Sequence, residues 1–487
     1  MTAQRRQLQI AVIGAGMSGL CMAAKLQDAG IENYTVFEQA DDVGGTWRDN
    51  TYPGLTCDVP SRYYTYSFRP NPEWSRLLSP GPEIQAYFRR VAEDLGIRPH
   101  IRFGTEVRAA RFVDGRWFID TGSGEEESFD VLITATGVLR LPRYPDIPGL
   151  ETFAGPMFHS ARWDHSVSLP DKRIGLIGTG STGVQITAEL GGKVRALKVF
   201  QRTAQWIFPT PNLRYSPLTR AALRRWPKLN EVGYRGWGFY IRQLLGRATV
   251  QPCWQRRLVQ TACRWNLRLS VRDAELRRKL TPNYQAMCKR QVLAGHFYPA
   301  VQRPGVEVIT DAIEAVEPRG VVTADGTLHE LDVLVLATGF DARAYVRPMQ
   351  IIGENGLTLE EAWADGPTAY RSVAVPGFPN LFMLMGPHSP IGNQSLITIA
   401  EDQADYAIWW INQIRDGRIT AAAPTEAATK DYNEQMKAAM PQTIWVTGCS
   451  SWYIGRDGLP ELFPWTPERH RELLRNPEPA HFDVRSA

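Results

Sequence analysis

The sequence predicts an α/β fold with two Rossmann-like dinucleotide-binding domains, the second carrying a helical insert. Three observations support this. A strand, glycine-rich turn, helix and second strand occur in that order twice, from Gln9 and again from Arg173. Two strands ending in Ala-Thr-Gly, at Ala135-Thr136-Gly137 and Ala337-Thr338-Gly339, repeat each other. A basic, tryptophan-bearing stretch with helical spacing interrupts the second unit.

Gln9-Ile10-Ala11-Val12-Ile13 is a short apolar run of the buried-strand type. Gly14-Ala15-Gly16-Met17-Ser18-Gly19 turns the chain, a helix follows through Leu26, and Tyr34 to Glu38 forms the next strand. This is a complete βαβ start. Arg5-Arg6 and the apolar residues from Leu8 to Ala24 imitate a signal peptide, but the glycine pattern and Lys25 favour the first elements of the fold. The second copy runs from strand Arg173–Ile177 through Gly178-Thr179-Gly180-Ser181-Thr182-Gly183, a helix over Val184–Leu190, and strand Leu197–Phe200. Phe129–Thr134 and Leu331–Leu336 are the closing strands of the two units. Leu141 to Leu150, rich in Pro and Gly, reads as a linker. After Pro376 the chain returns to the first domain through Leu381–Pro387 and a helix from Ser395 to Arg415. The expected domains are 1–145 with 375–487, 146–213 with 282–374, and the insert 214–281.

At 487 residues, two or three domains are expected. Apolar content of 43% and charged content of 22% are those of a globular protein. The net charge of +4 is unevenly spread: Arg214–Lys279 holds 16 Lys and Arg against 3 Asp and Glu, a net +13, leaving −9 elsewhere. Such a segment suits contact with an acidic partner or a membrane surface, or a solvated helical insert with arginine outermost. The solvated insert is the expectation here, with its Trp226, Trp237, Trp254 and Trp265 in the core. No nucleic-acid partner, metal site or membrane-spanning helix is expected, and oligomeric state is not legible. Cys21, Cys57, Cys253, Cys263, Cys288 and Cys449 show no close spacing, which suits reduced thiols in a cytoplasmic enzyme.

Each glycine turn lets backbone N–H groups and a helix N-terminus approach a pyrophosphate. The strand that follows discriminates between nucleotides. Glu38 ends the first such strand, where a carboxylate accepts from ribose hydroxyls and repels a 2′-phosphate. Gln201-Arg202-Thr203 ends the second, where the acid is gone and a guanidinium can meet a 2′-phosphate, favouring NADPH over NADH. Gly44-Gly45-Thr46-Trp47 resembles the element that lies along FAD in two-dinucleotide flavoproteins. Disulfide reductases of that group place a cysteine pair after the Thr. Here Trp47 stands instead and Cys57 has no partner at the needed distance, which argues against thiol–disulfide chemistry.

Two longer patterns go further. The first is Gly45-Thr46-Trp47, four residues, Tyr52-Pro53-Gly54, three residues, Asp58; the second is Phe153, Gly155, His159 and Trp163-Asp164. Together they resemble the two fingerprints of the type I Baeyer-Villiger monooxygenases, and the resemblance runs in order along nearly the whole chain. Flavin monooxygenases acting on amines and sulfides usually carry Tyr or Phe, then Lys or Arg, where Trp163-Asp164 stand here.

The resemblance implies an FAD- and NADPH-dependent conversion of ketones to esters or lactones with O2, through a flavin peroxide. It implies FAD contacts at Gly14, Gly16, Ser18, Gly19, Glu38, Gln39, Gly45, Thr46, Trp47, Asp58, Tyr64, Val107 and Leu396. It implies NADP contacts at Thr179, Gly180, Ser181, Thr182, Gly183, Gln185, Arg202, Thr203, Lys289, Arg290 and Trp452. Arg290 is then the catalytic cation, oriented by Asp58, and Lys289 stands beside Arg202 near the 2′-phosphate. His159 reads as a hinge or NADP contact rather than a base, and Trp163 as packing. Cys449-Ser450-Ser451-Trp452-Tyr453 resembles the family's mobile loop, whose Trp covers NADP and substrate; a core aromatic is the other reading of Trp452. The loop Gly386–Ser395 is expected to border the flavin ring, with His388 where relatives often have Gly. The rival readings are a sulfide or amine monooxygenase, an NADPH oxidase yielding peroxide, and a flavin-bound scaffold.

Overall fold

The computed structural model describes residues 6–449, 451–455 and 458–486. Ten short strands build two five-stranded parallel sheets. In chain order they are β1 (Ile10–Ile13), β2 (Tyr34–Phe37), β3 (Ile101–Arg102), β4 (Val131–Thr134), β5 (Met157–His159), β6 (Arg173–Ile177), β7 (Ala196–Phe200), β8 (Val306–Ile309), β9 (Val333–Leu336) and β10 (Leu381–Met383). The first sheet has the order β10-β4-β1-β2-β3 and the second β8-β7-β6-β9-β5. In both, the glycine-turn strand is central, flanked by the strand after the helix and by the strand that ends in Ala-Thr-Gly. The apolar runs are explained by burial on both faces, as parallel sheets require: β1, β4 and β9 are buried at every position.

The repeat extends to the antiparallel strands that precede each closing strand. Ala109–Val113, Arg116–Asp120 and Glu126–Phe129 lie ahead of β4, and Ile313–Glu317, Gly320–Thr323 and Leu328–Glu330 ahead of β9. The return of the chain is as expected: β10 pairs with β4, with Leu381 opposite Leu132.

Six helices matter below: α1 (Met17–Asp28), α2 (Ser181–Leu190), α3 (Pro217–Arg225), α4 (Lys228–Ile241), α5 (Trp254–Ser270) and α6 (Leu396–Arg415). The second-copy helix begins at Ser181, three residues before its apolar stretch, because the turn's last residues already have helical geometry. The insert is helical throughout most of its length. Helix α4 continues through a π turn (Arg242–Gly246) and a short helix (Arg247–Val250), and α5 packs back against these.

One expectation fails here. Of the four insert tryptophans, Trp226, Trp254 and Trp265 are more than half exposed, and Trp237 is only partly buried. Leu223, Val259, Cys263 and Leu267 supply the inward faces instead. No helix among the described residues is long and apolar enough to cross a membrane.

Helix α6 packs along α1 and holds a buried carboxyl, Glu401, which accepts from the Ser67 N–H at 2.7 Å. Burial pushes it up to about 7. The folded protein therefore keeps this proton at pH values where the unfolded chain has lost it. Stability from this group is full below about pH 4.5 and falls as pH rises through 7, by about 3 kcal/mol in all. Glu401→Gln keeps an acceptor and removes the charge. The expected outcome is a higher melting temperature than wild type at pH 8 and no difference near pH 4, read by thermal unfolding across pH.

Candidate active site

A cleft of about 1460 Å3 opens between the two sheets, larger than the roughly 300–1,000 Å3 usual for one small molecule. Its two ends are the glycine turns. Gly14 and Gly178 have φ of +103° and +110°, which only glycine adopts freely. A Cβ on Gly19 would lie 1.8 Å from the Gly14 carbonyl oxygen, and one on Gly183 2.0 Å from that of Gly178. Gly19 and Gly183 thus face away from the cleft and let each helix close on its turn. Gly14, Gly16, Ser18, Thr179, Gly180, Ser181 and Thr182 line it. The caps of α1 and α2 are Gly16 and Gly180, neither with a side-chain cap, so their first N–H groups remain for an anion. Nothing lies within 4 Å of a Cβ built on Gly180, while one on Gly45 would meet Gly16 Cα at 3.2 Å. These cradles fit two dinucleotide pyrophosphates.

The strand ends differ as their chemistry requires. Glu38 accepts from the Ala15 and Ala40 N–H groups and from Arg48 Nη1 at 3.0 Å. Arg48 was not singled out from the sequence; its place directly after Trp47 was the available signal. Opposite, Arg202 and Lys289 both line the cleft. The Lys289 amine is held below its usual range, first by burial and then by the Arg202 charge, and it lies over the Tyr284 ring. Two cations lining the same part of the cleft, close enough for the Arg202 charge to act on Lys289, fit a dianionic phosphate.

Arg290 lies where the two halves meet. Its Nε donates to Asp58 Oδ2 at 2.8 Å, its Nη2 to Oδ1 at 2.6 Å, and its Nη1 to the Ile391 carbonyl at 3.0 Å. Burial alone would lower its pKa, but the Asp58 charge and hydrogen bonds outweigh this and hold it well above the usual value. Three of five N–H groups are used, so two remain for the cleft. The backbone is fixed from both sides of the insert. Ile207–Phe208 pairs with Val292–Leu293, Gln205 donates to the Arg290 carbonyl, and Trp206 donates to that of Tyr284. Asp58 is placed by a loop that crosses α2: Tyr52 donates to Gln185, Gln185 donates to the Thr56 carbonyl, and Gly54 passes so close that a Cβ would lie 2.7 Å from the Gln185 carbonyl. The Tyr-Pro-Gly spacing of the first fingerprint is thereby a contact between the two folds.

Gln39, Thr46, Trp47, Tyr64, Val107, Gln185, Thr203, Leu396 and Trp452 also line the cleft. Trp47 Nε1 donates to the Tyr64 hydroxyl at 2.9 Å. Trp452 is 40% exposed, so it is not a core aromatic, and it packs edge-on against Tyr453. Ser450 of the same loop lies outside the described residues. Tyr453, assigned no role of its own from the sequence, is buried beside Arg290, and its hydroxyl has no partner among the described residues. From the loop Gly386–Ser395, Ile391 reaches the cleft and His388 does not. His388 has φ of +60°, the left-handed conformation that glycine adopts most freely.

Phe153, Gly155, His159, Trp163 and Asp164 do not line the cleft. Phe153 and Trp163 are buried, Gly155 passes the Asp332 carbonyl at a distance that excludes a Cβ, and Asp164 is exposed and accepts from Ser166. His159 is buried at the end of β5, its Nδ1 accepting from the Ala161 N–H. Burial lowers its pKa, and its ring contacts Tyr144 and Phe340, which do line the cleft. The second fingerprint acts as a support behind the cleft wall.

The cysteine expectation is overturned in part. Cys288 and Cys449 form a disulfide with Cα atoms 6.0 Å apart, although 161 residues separate them in sequence. Spacing could not reveal it, because folding alone brings the exit of the insert onto the C-terminal loop. Cys21, Cys57, Cys253 and Cys263 are free thiols. The bond ties the residue before Lys289-Arg290 to the segment bearing Trp452 and Tyr453.

A family model described as flavin-binding monooxygenase-like matches residues 7–346. An uncharacterized monooxygenase of Mycobacterium tuberculosis is 53% identical over 476 residues, 98% of this chain and 96% of that protein. A Baeyer-Villiger monooxygenase of Streptomyces coelicolor is 39% identical over 482 residues, covering 98% and 92%. Among solved structures, OTEMO in complex with FAD and NADP superposes with a TM-score of 0.86 at 28% identity, covering 99% of this chain and 100% of that one.

Peptide mapping under non-reducing conditions is expected to yield Cys288 joined to Cys449, with the other four thiols open to alkylation after unfolding. Cys449→Ser is expected to lower stability by about 2–4 kcal/mol, measured by denaturant unfolding.

Proposed function

The chain belongs to the flavin-binding monooxygenase-like family, among the type I Baeyer-Villiger monooxygenases, and from that premise we propose that it converts ketones to esters or lactones using FAD, NADPH and O2. The observation that carries this reading is Arg290, held bidentate on Asp58 in a cleft between two dinucleotide cradles. Such a cation is of use where negative charge develops on oxygen away from bulk water.

Reduced by NADPH, bound FAD supplies the activation of dioxygen. The chain's residues do the rest. The N-termini of α1 and α2 bind the two pyrophosphates, and Glu38 with Arg48 closes the first ribose site. Arg202 and Lys289 take the 2′-phosphate that distinguishes NADPH from NADH. Arg290 cannot lose its proton at neutral pH, so its charge is constant while carbonyl oxygen gains electron density. Its two remaining N–H groups point no further than Asp58 and Ile391 allow, because these two acceptors lock the guanidinium plane. Trp452 and Tyr453 cover the cleft beside it and reduce the access of water.

Purified protein incubated with NADPH and linear, cyclic, aromatic and steroid ketones is expected to form esters or lactones containing one oxygen atom from O2, detected by mass spectrometry. Oxidation only of sulfides and amines, or peroxide release with every ketone, would overturn the reading. Arg290→Ala is expected to retain FAD and lose ester formation by roughly a hundred- to a thousandfold, about 3–4 kcal/mol. Retention of near wild-type turnover would remove Arg290 from the mechanism. Arg202→Ala is expected to raise KM for NADPH about tenfold or more and leave that for NADH unchanged, as loss of a charge-assisted hydrogen bond predicts.

A further inference from the structure

The insert's three exposed tryptophans belong to a pattern. On α5, Trp254, Leu258, Trp265 and Leu269 are 69%, 50%, 54% and 71% exposed. At 3.6 residues per turn these four lie within about 60° of the helix circumference. The buried stripe of the same helix, Val259, Cys263 and Leu267, lies about 150° away. The helix is therefore apolar on two faces, and only one of them meets the protein.

Arg257, Arg264 and Arg268, all exposed, border one side of the outer stripe, and none has an ion-pair partner among the described residues. On helix α4, Lys228, Val232, Arg235 and Phe239, at i, i+4, i+7 and i+11, form one exposed row of two apolar and two basic residues, with Arg235 paired to Glu231 at 2.5 Å. Trp226 is exposed just before it.

We propose that the outer faces of α4 and α5 dock on an anionic lipid surface. Two features select this occupant. The segment carries +13 while the rest of the chain carries −9, so an anionic surface attracts the insert and repels the remainder, which fixes the orientation. The apolar stripe beside the arginines suits an interface where Trp and Leu enter the acyl boundary and Arg stays with the headgroups. A nucleic acid would satisfy the arginines but leave Leu258 and Leu269 without a partner. This reading replaces the solvated insert expected from sequence. It is independent of the reaction, since these residues lie outside the cleft.

The test is flotation of the FAD-loaded protein with phosphatidylcholine vesicles, with and without phosphatidylglycerol. Wild type is expected to float with the anionic vesicles only and to be largely released by high salt. The triple variant Arg257→Gln, Arg264→Gln, Arg268→Gln is expected to bind at least about tenfold more weakly. The pair Trp254→Ala, Trp265→Ala is expected to weaken binding too, with the residue resistant to salt lost first. Unfolding midpoints and vesicle-free NADPH oxidation, unchanged in both variants, show that the fold is intact. Failure of the wild type to float, or variants that float like wild type, overturns the proposal. So does concentration-dependent dimerisation abolished by Leu258→Asp, which would make a second copy the occupant of this face.

Discussion

The ion pair between Arg290 and Asp58 is the constraint around which the molecule is arranged. A guanidinium taken out of water costs several kcal/mol unless its charge and donors are met in good geometry. Asp58 meets two donors and the Ile391 carbonyl a third. Each partner comes from a different part of the chain: Arg290 from the exit of the insert, Asp58 from the loop after the first cradle, Ile391 from the segment leading into α6. The pair can form only when both dinucleotide folds are in place, so it couples the site to the assembly of the whole chain.

That coupling explains the company the pair keeps. Tyr52, Gly54 and Gln185 hold the Asp58 loop against α2, and Gln205 and Trp206 hold the Arg290 segment on the strand pair at the base of the insert. The disulfide from Cys288 to Cys449 adds a covalent tie from that segment to the loop with Trp452. The second fingerprint contributes differently. His159 packs behind Tyr144 and Phe340, Phe153 and Trp163 are buried, and Gly155 gives the backbone clearance at the Asp332 carbonyl, so these residues act by packing rather than by lining the cleft.

The insert answers to two environments. Its inner faces share a core with Cys288, Trp445 and Tyr453, close to the cleft, while the outer face of α5 carries exposed Trp and Leu beside Arg257, Arg264 and Arg268, which have no ion-pair partner among the described residues. An ordinary solvated helix buries its apolar residues on one stripe. The second stripe on α5, bordered by arginines, is the face that the proposed anionic lipid surface would cover.

Sequence alone determined what depends on neighbours along the chain. Strand–turn–helix order, the glycines whose backbone geometry admits no side chain, and the exchange of Glu38 for Arg202 at matching strand ends are local facts, and local sterics and charge decide them. The pairing of Arg290 with Asp58 was also legible, but only through resemblance to a family, because 232 positions separate the two. Tertiary structure decided the rest: that Cys288 reaches Cys449, that Tyr453 stands beside the cation, that His159 supports a wall, and that three insert tryptophans face outward. Helical spacing reports that a face is apolar but not which way it points. Direction is set by what packs on the opposite side, and that is a property of the folded chain.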